Sequence, residues 1–203
     1  MPVDLSRYDG TTYSPGRPFW IQALWFFAGL PLLRCQLLPL SSVRRALLRA
    51  FGSKIGKAVV LKPGVRVKYP WFLEIDDDAW IGEDVWIDNL GPVRIGRSAC
   101  LSQGAYLCTG NHDWTDPRFG LRVGPITIGD SAWVGAKCFV GPGVVMEDSA
   151  VAAAGSIVSG RLAAGMIYAG NPLHPVKPRN LRPMDQPAGS PDGTSHQAKA
   201  AMK

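Results

Sequence analysis

The chain has 203 residues, of which 46% are hydrophobic and 19% charged. That balance supports one buried core and excludes disorder throughout. The net charge of +6 permits an anionic partner without naming one, and Gly 23 and Pro 17 together make a turn-rich chain rather than a helical bundle.

Residues 1–18 form a polar lead carrying Asp4, Arg7, Asp9 and Arg17, without the apolar stretch of a cleavable signal peptide. The apolar run from Phe19 to Leu40 approaches the length of a membrane span. Gln22, Pro31, Arg34, Gln36 and Pro39 interrupt it, so a transmembrane helix is rejected. The expectation is a short amphipathic helix, packed on the body or lying on a membrane surface. Two helices are predicted, Phe19 to about Leu30 and Ser41 to Phe51, with Ser41 or Ser42 as cap and Gly52 as stop. Arg44, Arg45 and Arg49 give the second a basic face, read as solvated with snorkelling side chains.

From Ile55 an aliphatic residue recurs every six positions: Ile55, Leu61, Val67; Ile75, Ile81, Ile87; Ile95, Leu101, Leu107; Ile128, Val134, Val140; Met146, Ala152, Val158; then Ala164 and Gly170. Small or β-branched residues sit four places later, as at Val59, Ala79, Ala105, Cys138 and Ser156. A period of six fits neither an amphipathic helix nor an alternating strand. It fits a short strand and a turn, repeated, with three units to a triangular coil and the aliphatic side chains stacked inside. The prediction is an all-β solenoid of five to six coils. Residues beyond 18 per coil always fall between the third strand and the next first strand. All insertions therefore leave at one corner, and the largest, from about Cys108 to Thr127, is where a binding loop is expected.

Three parts follow: residues 1–51, a lead with short helices; 52–178, the repeat domain; and 179–203, a Pro-, Gly- and Ser-rich tail expected to be disordered. Cys35, Cys100, Cys108 and Cys138 form no CxxC pair and lack zinc-site spacing, so they read as free thiols in a reducing compartment.

The segments GSKIGKAVVLKPGVRVKYPWFLEI, WIGEDVWIDNLGPVRIG and SQGAYLCTGNHDW give the repeat domain its resemblance to a known family. It resembles the hexapeptide-repeat acyltransferases, whose fold is a left-handed parallel β-helix, and most closely their colanic-acid-biosynthesis acetyltransferase branch. The resemblance implies acetyl-CoA as acyl donor, a sugar hydroxyl as acceptor, direct transfer in a ternary complex, a homotrimer and a cytoplasmic location.

The resemblance also assigns residues. His112, in Gly110-Asn111-His112-Asp113-Trp114, matches the family's general base; an imidazole suits removal of a hydroxyl proton near neutral pH. Its tautomer must be fixed by Asp113 or by a backbone carbonyl. Trp133 and Ala136 match positions lining the thioester region, and Ala136 stands where some relatives carry a Ser. Ala154 matches a pantetheine contact. Ser159 and Arg161, beside Gly160, lie where relatives meet the nucleotide, and Lys177 and Arg179 are candidate phosphate contacts beyond the Tyr168–Pro172 motif. Gly82 replaces an Asn that touches sugar in galactoside-type relatives, so Asp84, Asp88, Asn89 and Trp114 are the acceptor-binding candidates. For Asp88 and Asn89, turn chemistry before Gly91-Pro92 is the competing reading.

Two other functions compete: acylation of an amino sugar or other amine, and a non-catalytic scaffold. A zinc site of the γ-carbonic-anhydrase kind needs three clustered histidines, and only His112 lies within the repeats before His174, so no metal is expected. No nucleic-acid-binding module is recognised. Peripheral membrane contact through the N-terminal helices stays open.

Overall fold

A computed structural model describes residues 3–10, 13–37 and 40–181. The repeats form a parallel β-solenoid of three walls. The first wall stacks Lys54–Ile55, Leu73–Ile75, Val93–Ile95, Ile126–Ile128, Val145–Met146 and Arg161–Leu162. The second stacks Val60–Leu61, Trp80–Ile81, Cys100–Leu101, Trp133–Val134, Val151–Ala152 and Met166–Ala169. The third stacks Arg66–Val67, Trp86–Asp88, Tyr106–Cys108, Phe139–Val140 and Ile157–Val158.

The six-residue period is realised as in-register ladders. Ile55, Ile75, Ile95, Ile128 and Met146 follow one another up the first wall, and Val67, Ile87, Leu107, Val140 and Val158 up the third. All are buried, as are the small corner residues from Val59 to Ser156. A buried side chain of this size stabilises by roughly 1.5–3 kcal/mol, and no single coil could shield it.

The predicted period fails at the last coil. Leu162, not Ala164, pairs with Met146, and Tyr168, not Gly170, pairs with Ala152. The turn after Val158 holds only Ser159 and Gly160, with Gly160 in the left-handed region (φ 70°), so the register advances by two. A strand from His174 to Pro178 then folds back antiparallel on the second wall.

The N-terminal segment closes the other end. Its first helix is longer than predicted: α-helix over Phe19–Leu24, a π-turn over Trp25–Gly29, then α-helix over Leu30–Arg34. The wide turn lets the chain pass Pro31, which has no N–H to donate. Gly29 is required there, since a Cβ would come within 2.2 Å of the Trp25 ring. Trp25, Leu33 and Leu48 join the solenoid core. No helix among the described residues is long and apolar enough to cross a membrane.

The basic face of the Ser41–Ala50 helix is only partly solvated: Arg44 is buried, Arg45 half-buried and Arg49 exposed. The first coil has no coil beneath it, so its carbonyls face the helix. Arg45 Nη1 donates to Val59 O at 2.7 Å, Arg49 Nη2 to Ile55 O at 2.8 Å, and Arg44 Nη1 reaches Leu61 O at 3.5 Å. Trp25 Nε1 donates to Val67 O at 3.0 Å. Ser41 caps no helix; its hydroxyl both accepts from Leu61 N and donates to Leu61 O. The cationic side chains thus satisfy an open solenoid edge, which would otherwise carry unpaired backbone groups.

At the far end Arg179 is ordered, against the expectation for 179–203: its N–H bonds Gly165 O at 2.7 Å and its guanidinium Ser131 O at 2.7 Å. The rest of that predicted tail, from residue 182, lies outside the described residues.

Candidate active site

Every insertion does leave at the third-to-first corner. Asn89 builds that corner: its amide donates to Tyr69 O at 2.8 Å and accepts from Tyr69 N at 3.0 Å, in full burial. It therefore serves the turn and is withdrawn as an acceptor contact. Thr109 repeats the device one coil higher, accepting from Gly91 N at 3.1 Å.

Above this ladder the large insertion forms an antiparallel hairpin, Gly110–His112 against Leu121–Val123. His112 is half-buried, its ring stacked on Phe119 at 4.3 Å and 7° and met edge-on by Tyr8 at 5.9 Å. Its Nδ1 lies 2.8 Å from the Phe119 carbonyl oxygen. A carbonyl can only accept, so Nδ1 carries the proton and Nε2 is left with the lone pair. That is the tautomer of a base. The Phe119 backbone is left-handed, at φ 54°, a conformation costing a non-glycine residue roughly 1–2 kcal/mol, and the hairpin turn holds its carbonyl toward the imidazole.

Asp113 is therefore not the orienting group. Its carboxylate accepts from Thr115 Oγ1 at 2.6 Å and Thr115 N at 3.0 Å, and pairs with Arg122 across the hairpin. These hydrogen bonds from Thr115, then the Arg122 charge, hold it below the usual carboxylate range. Its role is to brace the hairpin that carries His112. Trp114, at the hairpin tip, is 73% exposed.

Asp88 ends a third-wall strand directly below Cys108. It accepts from Tyr106 Oη at 3.1 Å and pairs with Lys68 Nζ at 3.1 Å. Burial first, then hydrogen bonding and charge from Cys108 and Asp88, raises the Tyr106 hydroxyl well above its ordinary value. Asp84 lies elsewhere, in the second-to-third turn at φ 56°, over Gly64. Gly82 is a stacking residue: a Cβ there would meet Gln103 N at 2.7 Å, so an Asn does not fit between these coils.

The donor-side candidates do not converge within one chain. Trp133 stands half-exposed on the second wall, its Nε1 donating to Ser102 Oγ at 2.9 Å. Ala136 and Ala154 occupy successive second-to-third turns, and Gly155 N donates to Ala136 O at 2.8 Å. These three share one edge of coils four and five. Ser159 lies on the third-to-first corner. Arg161 points from the first wall, where its Nε bonds Glu147 Oε1 at 2.6 Å. Lys177 pairs with Ile167 in the returning strand, and the Arg179 guanidinium is spent on turn carbonyls at the first-to-second corner. Arg161 and Arg179 are thus engaged within the chain, away from the edge of Trp133 and Ala154. Among the described residues no group of three or more His, Cys, Asp or Glu side chains is placed to hold a metal.

Sequence reading missed Tyr8, Phe119 and Arg122. Each acts through a contact formed across the hairpin or from the distant lead, and spacing carries no signal of it.

A six-coil parallel prism with one long corner hairpin is the architecture expected of the hexapeptide-repeat acyltransferases. No family model matches the chain. It is 43% identical over 136 residues to Escherichia coli (strain K12) WcaF, which bears the name of a colanic acid biosynthesis acetyltransferase; the match covers 67% of this chain and 75% of that protein. It is 26% identical over 142 residues to the galactoside O-acetyltransferase of the same organism, covering 68% and 70%. A Vibrio cholerae hexapeptide-repeat acetyltransferase complexed with acetyl coenzyme A superposes with a TM-score of 0.72 at 20% identity, covering 79% and 88%. At that identity the likeness is one of fold. The chain belongs to the hexapeptide-repeat acetyltransferases, in the branch of the colanic acid biosynthesis acetyltransferases.

Proposed function

We propose that the protein transfers an acetyl group from acetyl-CoA to a hydroxyl of a saccharide, with His112 as general base. The observation that carries this reading is the Nδ1 contact to the Phe119 carbonyl, which leaves Nε2 free to accept a proton. The names of the curated relatives support the reaction class, and the acetyl-CoA complex on the same fold supports the donor.

In this reading Nε2 removes the acceptor's hydroxyl proton as its oxygen bonds to the thioester carbon. The tetrahedral intermediate bears an oxyanion, which a turn N–H such as that of Ala136 stabilises. The C–S bond then breaks, and the imidazolium returns its proton to the departing thiolate. The products are the acetyl ester and CoA.

The donor edge of Trp133, Ala136 and Ala154 and the hairpin of His112 lie on different corners of the prism, so the site is completed by a second copy. The second and third walls carry the outward aromatics Trp80, Trp133, Trp86, Tyr106 and Phe139, whereas the first wall carries ion pairs such as Lys54–Glu74. The aromatic walls suit subunit contact in a homotrimer. Residues 52–178 form the catalytic body in this assignment, with 1–51 as its cap. A cytoplasmic location follows from the donor.

Replacing His112 with Gln should lower acetyl transfer by about 10²–10⁴-fold while leaving the assembly and unfolding temperature intact. The assay is CoA release with a panel of sugar and amino-sugar acceptors, the product located by NMR. Near-full transfer by the variant rejects the base; exclusive N-acetylation rejects the hydroxyl acceptor.

A further inference from the structure

The N-terminal lead climbs the corner from which the insertions leave. In the first coil's corner Pro15 O accepts from Trp71 Nε1 at 2.7 Å, and in the second's Tyr13 Oη donates to Leu90 O at 2.8 Å. On the hairpin of the third coil Asp4 N donates to Pro117 O at 2.9 Å. The lead is thus fastened on both sides of Tyr8.

Between these fastenings the chain makes one tight turn. Asp4 Oδ1 accepts from Ser6 N at 3.1 Å and Ser6 Oγ at 2.7 Å, and Tyr8 N donates to Leu5 O at 3.1 Å. The turn delivers the Tyr8 ring to His112, with centroids 5.9 Å apart and planes at 62°. Edge-on ring pairs make contact at roughly 4.5–7 Å. No residue of Leu5–Arg7 is buried and Tyr8 is 41% exposed, so the segment adds nothing to the core. Apolar burial does not account for the place of Tyr8; its contact with the imidazole does.

The imidazole has a use for that contact. Phe119 covers one face at 4.3 Å, and its carbonyl oxygen lies 2.8 Å from Nδ1. A torsion between a tetrahedral carbon and a flat ring has broad wells, and one hydrogen bond restrains it weakly. Rotation about the Cβ–Cγ bond would put Cδ2 where Nδ1 meets the carbonyl and carry Nε2 off its line. A ring edge packed against the imidazole opposes that rotation.

We propose that Tyr8 is a positioning residue of the active site: its ring, delivered by the lead, confines the His112 imidazole to the orientation in which Nδ1 meets the Phe119 carbonyl and Nε2 faces the acceptor. This role rests on the reading of His112 as the base, and it extends the site to a segment outside the repeats.

The test uses the full chain with Tyr8→Ala, Tyr8→Phe, His112→Gln and the double variant Tyr8→Ala/His112→Gln. Tyr8→Ala should lower kcat about tenfold or more and change the KM for acetyl-CoA by less than about twofold. Tyr8→Phe keeps the ring and should recover kcat to within about twofold of the unaltered chain. In the His112→Gln background, Tyr8→Ala should cost less than about twofold, because it acts through the imidazole. The chain has three histidines, so ¹⁵N-histidine spectra resolve the ring, assigned by its loss in His112→Gln. The unaltered chain should show His112 protonated at Nδ1, and Tyr8→Ala a mixture of the two tautomers. A kcat within about twofold in Tyr8→Ala overturns the positioning role. Equal losses in Tyr8→Phe and Tyr8→Ala assign the effect to the hydroxyl, and an undiminished loss in the His112→Gln background assigns it to acceptor binding; either result also overturns it. Full transfer by His112→Gln rejects the base and not the contact, which the nitrogen spectra test alone: an undisturbed Nδ1–H tautomer in Tyr8→Ala shows that Tyr8 does not hold the ring.

Discussion

Arg44 offers the clearest test of how the N-terminal cap is held together. Its side chain is 1% exposed, and Nη2 donates to Cys35 O at 2.8 Å, Nε to Leu33 O at 3.2 Å. Among the described residues no carboxylate pairs with it; backbone carbonyls take its protons. Burial pushes its pKa below the ordinary guanidinium value, so desolvation offsets part of what the hydrogen bonds contribute. Arg44→Ala removes two well-formed charge-assisted bonds, each contributing roughly 1.5 kcal/mol at the lower end of the usual range. The carbonyls of Leu33 and Cys35 lose their partner, and the stem leaves a void beneath the first coil. The net loss is about 3 kcal/mol, which at this chain length lowers the unfolding temperature by roughly 6–12 °C. Thermal and urea unfolding of the full chain measure it. Arg44→Lys should recover only part, since an ammonium cannot span the carbonyls that the guanidinium fork reaches. If Arg44→Ala unfolds within about 0.5 kcal/mol of the unaltered chain, Arg44 does not hold the end of the N-terminal helix against the Ser41–Ala50 helix.

Two further outcomes follow from the site and the stacking. Asp113 is held below its ordinary pKa, so its contribution is present above the unfolded value and is lost as pH falls through the folded one. Hydrogen exchange of residues 110–123 should therefore accelerate in acid below the ordinary aspartate range, and Asp113→Asn should reduce that pH dependence, leaving the part due to Asp116, which Arg118 also holds low; an unchanged profile in the variant assigns the acid sensitivity elsewhere. Gly82→Asn should destabilise by about 1–3 kcal/mol in denaturant unfolding, because its Cβ would press on Gln103 N at 2.7 Å. An unchanged midpoint would mean the coils separate there at no cost.

Sequence alone determined the three walls, their ladders up to the last coil and the corner where insertions leave. Each of those rests on whether a single side chain prefers water or hydrocarbon, and a six-residue period repeats that preference visibly. The same logic located the excursion that carries His112, because a departure from a rigid prism is visible as an interruption of the period; the choice of His112 within it came from the family resemblance. Tertiary structure decided the polar partnerships. The Phe119 carbonyl reaches His112 only when the hairpin closes, and Asp113 turns from the imidazole because Thr115 and Arg122 hold it. Arg44, Arg45 and Arg49 look like a wet basic face until the fold brings carbonyls to them, those of the first coil to Arg45 and Arg49 and those of Leu33 and Cys35 to Arg44. Asn89 reads equally as a turn residue or a ligand contact until Tyr69 takes both ends of its amide. A hydrogen bond depends on where two groups meet in space, and most backbone acceptors are identical along the chain, so the residue letters do not say which one will be chosen.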